Sequence, residues 1–173
     1  RGLCVVSMIG FHYCYDLVEL AGIELSWFKP PFEDAWRASI SWTFLFLAGI
    51  MCSYSHNNTK RAVKYGLVAF LIWSVTYLVA VDIPISFGII FCMSASTMLY
   101  AILRKFGVEP KGLVSQMAFI CLFLLLLKLP NGYLQLGRLK VSLPSCLYST
   151  EWISWLGFPG PTFSSGDYYP LLP

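Results

Sequence analysis

Long apolar blocks dominate this sequence and leave few folds open to it. A transmembrane helix needs roughly 20 consecutive, mostly apolar residues. Five stretches meet that requirement, at about 3–23, 38–56, 63–81, 84–103 and 113–129. Charged residues make up only 12% of the chain, about half of the share that is usual in soluble domains. The sequence therefore predicts an all-α fold: a polytopic transmembrane helical bundle with five spans, in one integral-membrane domain over residues 1–173.

The end of the chain has a different composition from the helical blocks. Residues 130–173 contain six prolines and five glycines, and Pro159, Pro161 and Pro170 exclude a continuous helix there. The same segment is too aromatic for a disordered linker. We expect an ordered extracytoplasmic loop region at the outer membrane interface, where Trp and Tyr are favoured. The alternative is a re-entrant segment that lines the helical bundle.

Both ends of the sequence point to a longer protein. The chain begins at Arg1 without a methionine and stops at "DYYPLLP". Five helices would also make an incomplete bundle. We therefore expect further sequence at one or both ends.

Basic residues are concentrated in alternate connections between the predicted spans. The second-to-third and fourth-to-fifth connections carry Lys60, Arg61, Lys64, Arg104, Lys105 and Lys111. The positive-inside rule places both connections in the cytoplasm. The first-to-second connection is net acidic and the third-to-fourth carries only Asp82, so these two face outward. This alternation predicts a cytoplasmic N-terminus and an outer location for residues 130–173.

Two classes of binding site find no support in the sequence. The six cysteines are scattered, with no CxxC motif and no Cys/His cluster, so we expect small apolar core side chains and no metal. The net charge of +3 is explained by the cytoplasmic connections, so we expect no nucleic-acid partner. Membrane lipid is the expected surrounding, and a homo-oligomer stays open.

The first predicted helix is the only one with ionisable side chains in its middle. Residues 11 apart on a helix share a face and lie roughly 16 Å apart along the axis, which applies to Arg1 and His12. His12 and Asp16 are spaced i, i+4 and can contact each other. Glu19 falls on the same stripe, nearer the outer surface. An ionisable group at mid-bilayer costs at least about 2.5–3.5 kcal/mol and usually faces a bundle interior or a water-filled cavity.

These side chains suit acyl transfer from a phosphate-bearing donor. A neutral histidine held by a carboxylate is a general base, and the carboxylate steadies the imidazolium that forms, which predicts catalytic roles for His12 and Asp16. The Arg1 guanidinium matches phosphate oxygens, such as those of acyl-CoA, although the spacing alone does not indicate acyl transfer. The simpler alternatives are a self-satisfied His12–Asp16 pair that fixes helix packing, a solvated Glu19 and an Arg1 that only anchors the helix.

Four stretches follow one another along the chain: "RGLCVVSMIGFHYCYDL", "SWTFLFLAGI", "ISFGIIF" and "FSSGDYYPLLP". Together they resemble the bacterial members of the heparan-alpha-glucosaminide N-acetyltransferase catalytic domain family. The resemblance runs from Arg1 to Pro173, and the first and last stretches are the specific ones. It implies an acyl-CoA donor, acetyl-CoA above all, on the cytoplasmic side, a sugar or glycan acceptor beyond the membrane, and a bacterial plasma membrane location.

The resemblance also matches individual residues of this chain. Arg1 and His12 correspond to an arginine–ten residues–histidine spacing that resembles the wider transmembrane acyltransferases, and Asp16 belongs to a bacterial H-x3-D pattern. Asp167 lies in the last motif. Its carboxylate could bind an acceptor hydroxyl or amine on the outer side, as could Glu19, or it could cap a helix after Pro173, which is the favoured interpretation.

This sequence departs from the family in two places. The lysosomal branch has its histidine after the first helix, whereas the outward connection of residues 24–37 contains none, so that mechanism and the heparan substrate do not carry over. Bacterial relatives often have "FGILH" where this chain has "FGIIF", with Phe91 in place of the histidine.

The sequence leaves three functional hypotheses. The first is a membrane-embedded acyltransferase that uses His12 as its base. The second is a transporter or permease in which His12, Asp16 and Glu19 form a polar pathway. Transporters often show internal repeats and broken helices, which are not visible here. The third is a non-catalytic membrane scaffold, favoured by the phenylalanine at position 91.

Overall fold

The computed structural model describes residues 2–80, 83–108 and 112–172. Its helices are α1 (Gly2–Glu19), α2 (Phe32–Tyr54), α3 (Asn58–Val79), α4 (Ile89–Lys105) and α5 (Leu113–Leu126). After them come a hairpin of β1 (Tyr133–Leu136) and β2 (Leu139–Ser142) and three short 3-10 helices, at Leu129–Asn131, Ser145–Tyr148 and Glu151–Leu156. The mostly helical fold is confirmed. Arg1, Asp82 and Lys111, which entered the predictions above, lie outside the described residues.

Three helices in the described part of the chain are long and apolar enough to cross a membrane: Phe32–Tyr54, Asn58–Val79 and Leu113–Asn131. They correspond to three of the five predicted spans. By contrast, α4 has only 17 residues, and α1 has 18 but includes three ionisable side chains. Length and composition thus support three spans, and the other two stay predictions.

The described residues divide into two compact units, the first ending at Ser55 and the second beginning at His56. The first unit is the α1–α2 pair with its connection. Its core is formed by Phe11, Phe28 and Ile40, all buried. The Phe11 ring lies 5.4 Å from that of Phe28 and 5.5 Å from that of Trp36. Aromatic packing of this kind holds the two helices together. The single domain over residues 1–173 stays a prediction.

In the second unit, α3 and α4 approach each other at small residues. Ala62 is completely buried, and its carbonyl oxygen accepts a 2.8 Å hydrogen bond from Ser94 Oγ. A Cβ added at Gly66 would lie only 3.1 Å from the same Ser94 Oγ. Small residues spaced i, i+4 allow membrane helices to pack backbone against backbone, which explains this close contact.

The hairpin directly after α5 was not predicted from the sequence. Tyr133 pairs with Ser142 and Leu136 with Leu139. Gly137 takes a positive φ of 59°, which glycine adopts without steric cost and which two-residue hairpin loops favour at their first position. Strands of only four residues show too few alternations of polar and apolar side chains to be recognised in a Pro/Gly-rich sequence. The segment after the hairpin packs around Ser154, which is completely buried and accepts hydrogen bonds from the Gly160 N–H and Tyr168 OH.

Candidate functional site

The orientation of α1 is set by its contacts with α2. Trp36 Nε1 donates a 2.8 Å hydrogen bond to Ser7 Oγ. A Cβ added at Gly10 would lie 3.7 Å from the Trp36 ring, so the two helices are close there. The side chains that pack on the core recur every three or four residues along α1, namely Met8, Phe11, Cys14, Tyr15 and Val18. This spacing is that of one helix face.

The predicted catalytic residues lie on another side of α1. We call His12, Asp16 and Glu19 the α1 polar stripe. Each of them directly follows a residue that packs on the core, so its side chain is turned about 100° around the helix from that residue. All three are exposed in the structure. The His12 ring meets the Phe11 ring edge to face, with 5.9 Å between the ring centroids. The buried aromatic core therefore supports one side of the imidazole and leaves the rest of it accessible.

The structure places His12 and Asp16 on consecutive turns but does not join them. Within residues 2–80, 83–108 and 112–172, no hydrogen bond or ion pair is formed by the side chains of His12, Asp16 or Glu19. Arg1 lies outside the described residues. The stripe is thus a row of ionisable groups whose partners, if the site is catalytic, are substrate, water or other protein segments. Their roles stay predictions.

Asp167 occupies a different setting, at the N-terminus of α4. Its Oδ2 accepts a hydrogen bond from the backbone N–H of Ile89, at 3.4 Å. Gly88, the residue before α4, offers no side-chain cap of its own. A carboxylate at this position satisfies a free N–H group and interacts favourably with the helix dipole. The sequence favoured a cap on a helix after Pro173. In the structure Asp167 instead caps α4, whose first residue lies 78 positions earlier in the chain.

Backbone pairing brings Asp167 to α4. Residues 83–91 and 163–172 contact each other, and we call this contact the α4 junction. The Tyr169 N–H donates to the Phe87 carbonyl oxygen at 2.8 Å, and the Gly166 N–H donates to the Pro84 carbonyl oxygen at 3.3 Å. Ser165 Oγ accepts from the Ser86 N–H and donates to the Asp167 carbonyl oxygen. Two of the motifs noted in the sequence are therefore neighbours in space.

Two glycines are needed for this close pairing. A Cβ at Gly166 would lie 2.7 Å from the Ile83 carbonyl oxygen. At Gly88 it would lie 2.7 Å from Ile85 Cγ2 and 3.2 Å from Asp167 Oδ2. These distances are shorter than normal carbon contacts. The junction was not predicted from the sequence, although the glycine in each of the two distant motifs is a signal that could have indicated it.

Phe91 forms part of an aromatic cluster at the junction. Its ring lies 5.0 Å from the Phe87 ring, which in turn stacks on Phe163 at 5.7 Å. Phe163 also contacts the Tyr168 ring at 4.9 Å. Phe91 therefore has a packing role at the junction.

Two tyrosine hydroxyls fasten the segment before and within the junction. Tyr168 OH donates to the Ser154 carbonyl oxygen at 2.6 Å, and Tyr148 OH donates to that of Leu129 at 2.6 Å. Burial raises the pKa of both phenols, and the neighbouring Tyr148 raises that of Tyr168 further. Both hydroxyls therefore remain protonated donors at neutral pH.

No group of three or more His, Cys, Asp or Glu side chains among the described residues could hold a metal ion. The six cysteines are free thiols. Cys92 is buried in α4, and its thiol donates to the Pro170 carbonyl oxygen at 3.5 Å. This thiol belongs to the packing of the junction.

Comparison with known proteins identifies the family. The family model described as "Heparan-alpha-glucosaminide N-acetyltransferase, catalytic" matches residues 1–173. No curated protein and no solved structure matches the chain significantly. The matched range includes both the α1 polar stripe and the α4 junction. Because the match covers the whole sequence, this protein belongs to the heparan-alpha-glucosaminide N-acetyltransferase catalytic domain family, a family of membrane acetyltransferases.

Proposed function

We propose that this protein is a membrane-embedded acyltransferase that moves an acetyl group from cytoplasmic acetyl-CoA to a sugar-type acceptor on the outer side. The observation that carries the proposal is the family match over residues 1–173. The α1 polar stripe supports it, because it supplies a histidine and a carboxylate on one accessible helix face.

The cost of placing charge in a membrane supports a cavity beside α1. We propose that α1 and α4 span the bilayer together with the three longer helices, with the N-terminus in the cytoplasm and residues 130–173 outside. An ionisable residue at bilayer depth is expensive unless it faces protein or water. His12 and Asp16 are not covered by α2, so in this arrangement they would line a cavity beside α1. A donor entering from inside and an acceptor from outside would meet there.

In the proposed reaction His12 is the general base and Asp16 orients it. The acceptor hydroxyl or amine loses its proton to the neutral imidazole while its oxygen or nitrogen attacks the thioester carbonyl carbon. The carbon–sulfur bond then breaks, and the departing thiolate receives the proton, so that CoA leaves as the free thiol. Asp16, one turn further along α1, stabilises the imidazolium that forms. Arg1 would bind donor phosphate, and Glu19 would contact the acceptor near the outer surface.

The test is transfer of radiolabelled acetyl from acetyl-CoA to membrane and sugar acceptors by the full-length protein in membranes. A positioned general base contributes about 10²–10⁴-fold, so His12→Ala should lose transfer by that order. Since His12 is exposed, the variant should insert and unfold like the wild type. His56→Ala is the matched control, because His56 is the other histidine of the chain, is also exposed, and should retain full activity.

Two results would overturn parts of this proposal. Transfer that survives His12→Ala would leave the acyltransferase but remove His12 as its base. An absence of transfer in the wild type, with acetyl-CoA and with longer acyl-CoA donors, would favour the transporter or scaffold hypothesis.

A further inference from the structure

The hairpin after α5 has one apolar and one polar face. Directly opposed residues of an antiparallel pair point to the same side of the sheet. Leu134 opposes Val141, and Leu139 is on the same side as Val141 because side chains alternate along a strand. The opposite side carries Tyr133, Gln135, Lys140 and Ser142, and there the Lys140 ammonium lies 3.9 Å from the centre of the Tyr133 ring.

The β2 side of the hairpin's apolar face is not covered by the rest of the described chain, whereas Leu134 on β1 is half-buried. Leu139 is 73% exposed and Val141 60% exposed. A two-stranded hairpin is at best marginally stable in water without cover for its apolar face. These side chains therefore need an apolar environment from elsewhere.

The position of the hairpin indicates what that environment is. The candidate membrane span Leu113–Asn131 ends two residues before β1, and β1 contacts α5. The hairpin is thereby held at the level where this helix leaves the bilayer. The sequence from Lys128 to Ser142 contains three basic residues, Lys128, Arg138 and Lys140, and no acidic residue, which complements lipid phosphates.

We propose that the β1–β2 hairpin lies flat on the membrane, with Leu139 and Val141 inserted among the lipid chains at the interface. Arg138 at the turn and Lys128 at the end of the span meet the headgroup phosphates, and the polar face points to water. The hairpin acts as an interfacial anchor that fixes the end of α5 and the start of the segment leading to the α4 junction. This proposal does not depend on acyl transfer.

Lipid photolabelling of the native-sequence protein tests the insertion. The full-length protein is reconstituted in vesicles of phosphatidylcholine and phosphatidylglycerol that contain a phospholipid with a diazirine near its glycerol, and labelled residues are mapped by mass spectrometry after illumination. Leu139 and Val141 should be labelled several-fold more than Gln135 and Lys140. Exposed α5 side chains such as Leu122 provide the internal standard for lipid contact.

Paired variants make the result specific to one face. Leu139→Ser combined with Val141→Ser should reduce hairpin labelling several-fold, whereas Gln135→Ser combined with Ser142→Ala, on the opposite face, should leave it unchanged. Equal labelling of both faces would overturn the proposal. So would protection of Leu139 and Val141 from lipid with the α5 label retained, since another protein surface would then cover the apolar face.

Discussion

The α1 polar stripe and the α4 junction each contain an aspartate from a sequence motif, and the two carboxylates differ in exposure and in hydrogen bonding. Asp16 is exposed, and its carboxylate has no partner among the side chains that the structure describes. Asp167 is half-buried, accepts a hydrogen bond from the first turn of α4, and lies in a segment fastened by backbone pairing. The aspartate side chain is therefore accessible to solvent or ligands on α1, whereas at the junction it forms a structural hydrogen bond.

This difference separates function from folding. The α1–α2 pair is held by Phe11, Trp36 and their neighbours. His12 adds one edge-to-face ring contact with Phe11, and the side chains of Asp16 and Glu19 form no hydrogen bond or ion pair among the described residues. Ionisable groups that folding does not use and that membranes disfavour are candidates for chemistry. Asp167 has a sufficient structural explanation in the cap of α4, so we do not assign it to the acceptor site.

The largest effect on stability is expected where a glycine is required at the junction. Gly166→Ala would place a Cβ 2.7 Å from a backbone carbonyl oxygen, which cannot move away as a flexible side chain could. Overpacking of this kind typically costs about 1–3 kcal/mol. We expect the free energy of unfolding in detergent, followed by tryptophan fluorescence, to fall by that amount.

Gly49→Ala is the matched control for this substitution. Gly49 lies within α2, and apart from the helix's own backbone no described residue comes within 4 Å of the added Cβ. Alanine is a better helix former than glycine by about 0.8–1 kcal/mol, so this variant should be as stable as the wild type or more so. Equal destabilisation by both substitutions would contradict the tight pairing of residues 83–91 with 163–172.

A smaller loss is expected from the cap itself. Asp167→Ala removes the side-chain acceptor of the Ile89 N–H, and loss of an N-cap typically costs about 1 kcal/mol. Asp167→Asn keeps an oxygen acceptor and should cost less. Acetyl transfer per folded molecule should stay at the wild-type level in both variants.

The outcome for Asp167→Asn decides between structure and substrate binding. A variant of wild-type stability that no longer transfers acetyl groups would show that the carboxylate acts on the acceptor. The comparison of the two regions would then be wrong, because both aspartates would belong to the site.

The helices were predictable from the length of the apolar blocks. The hairpin and the backbone pairing after α5 were difficult to predict, because they depend on contacts that leave little pattern in the sequence. The spans at α2, α3 and α5 were evident because some 20 apolar residues have few alternatives. The β1–β2 hairpin was missed because four-residue strands give little alternation to detect. Composition predicted an ordered segment for residues 130–173, but it carries no information about which backbone groups pair.

The candidate site was predictable only in part, for the same reason. Helical periodicity places His12 and Asp16 on one face without a structure. It cannot show whether an exposed pair is in contact, because exposed side chains adopt several rotamers. The pairing of Asp167 with Ile89 spans 78 residues, and no local pattern encodes a contact across that distance.

The smallest expected effect concerns the contact that orients the α1 polar stripe. Trp36→Phe keeps most of the aromatic packing but removes the indole N–H that donates to Ser7 Oγ at 2.8 Å. A hydrogen bond of this kind contributes about 0.5–1.5 kcal/mol, so the free energy of unfolding should fall by at most that amount. Because the bond sets the rotation of α1 on α2, acetyl transfer should fall by more than stability alone explains.

Ser7→Ala should have the same effect, and the double variant should be no worse than either single one. Additive losses in the double variant would show that Trp36 and Ser7 act independently. Unchanged transfer in all three would show that the aromatic core around Phe11 suffices to orient His12.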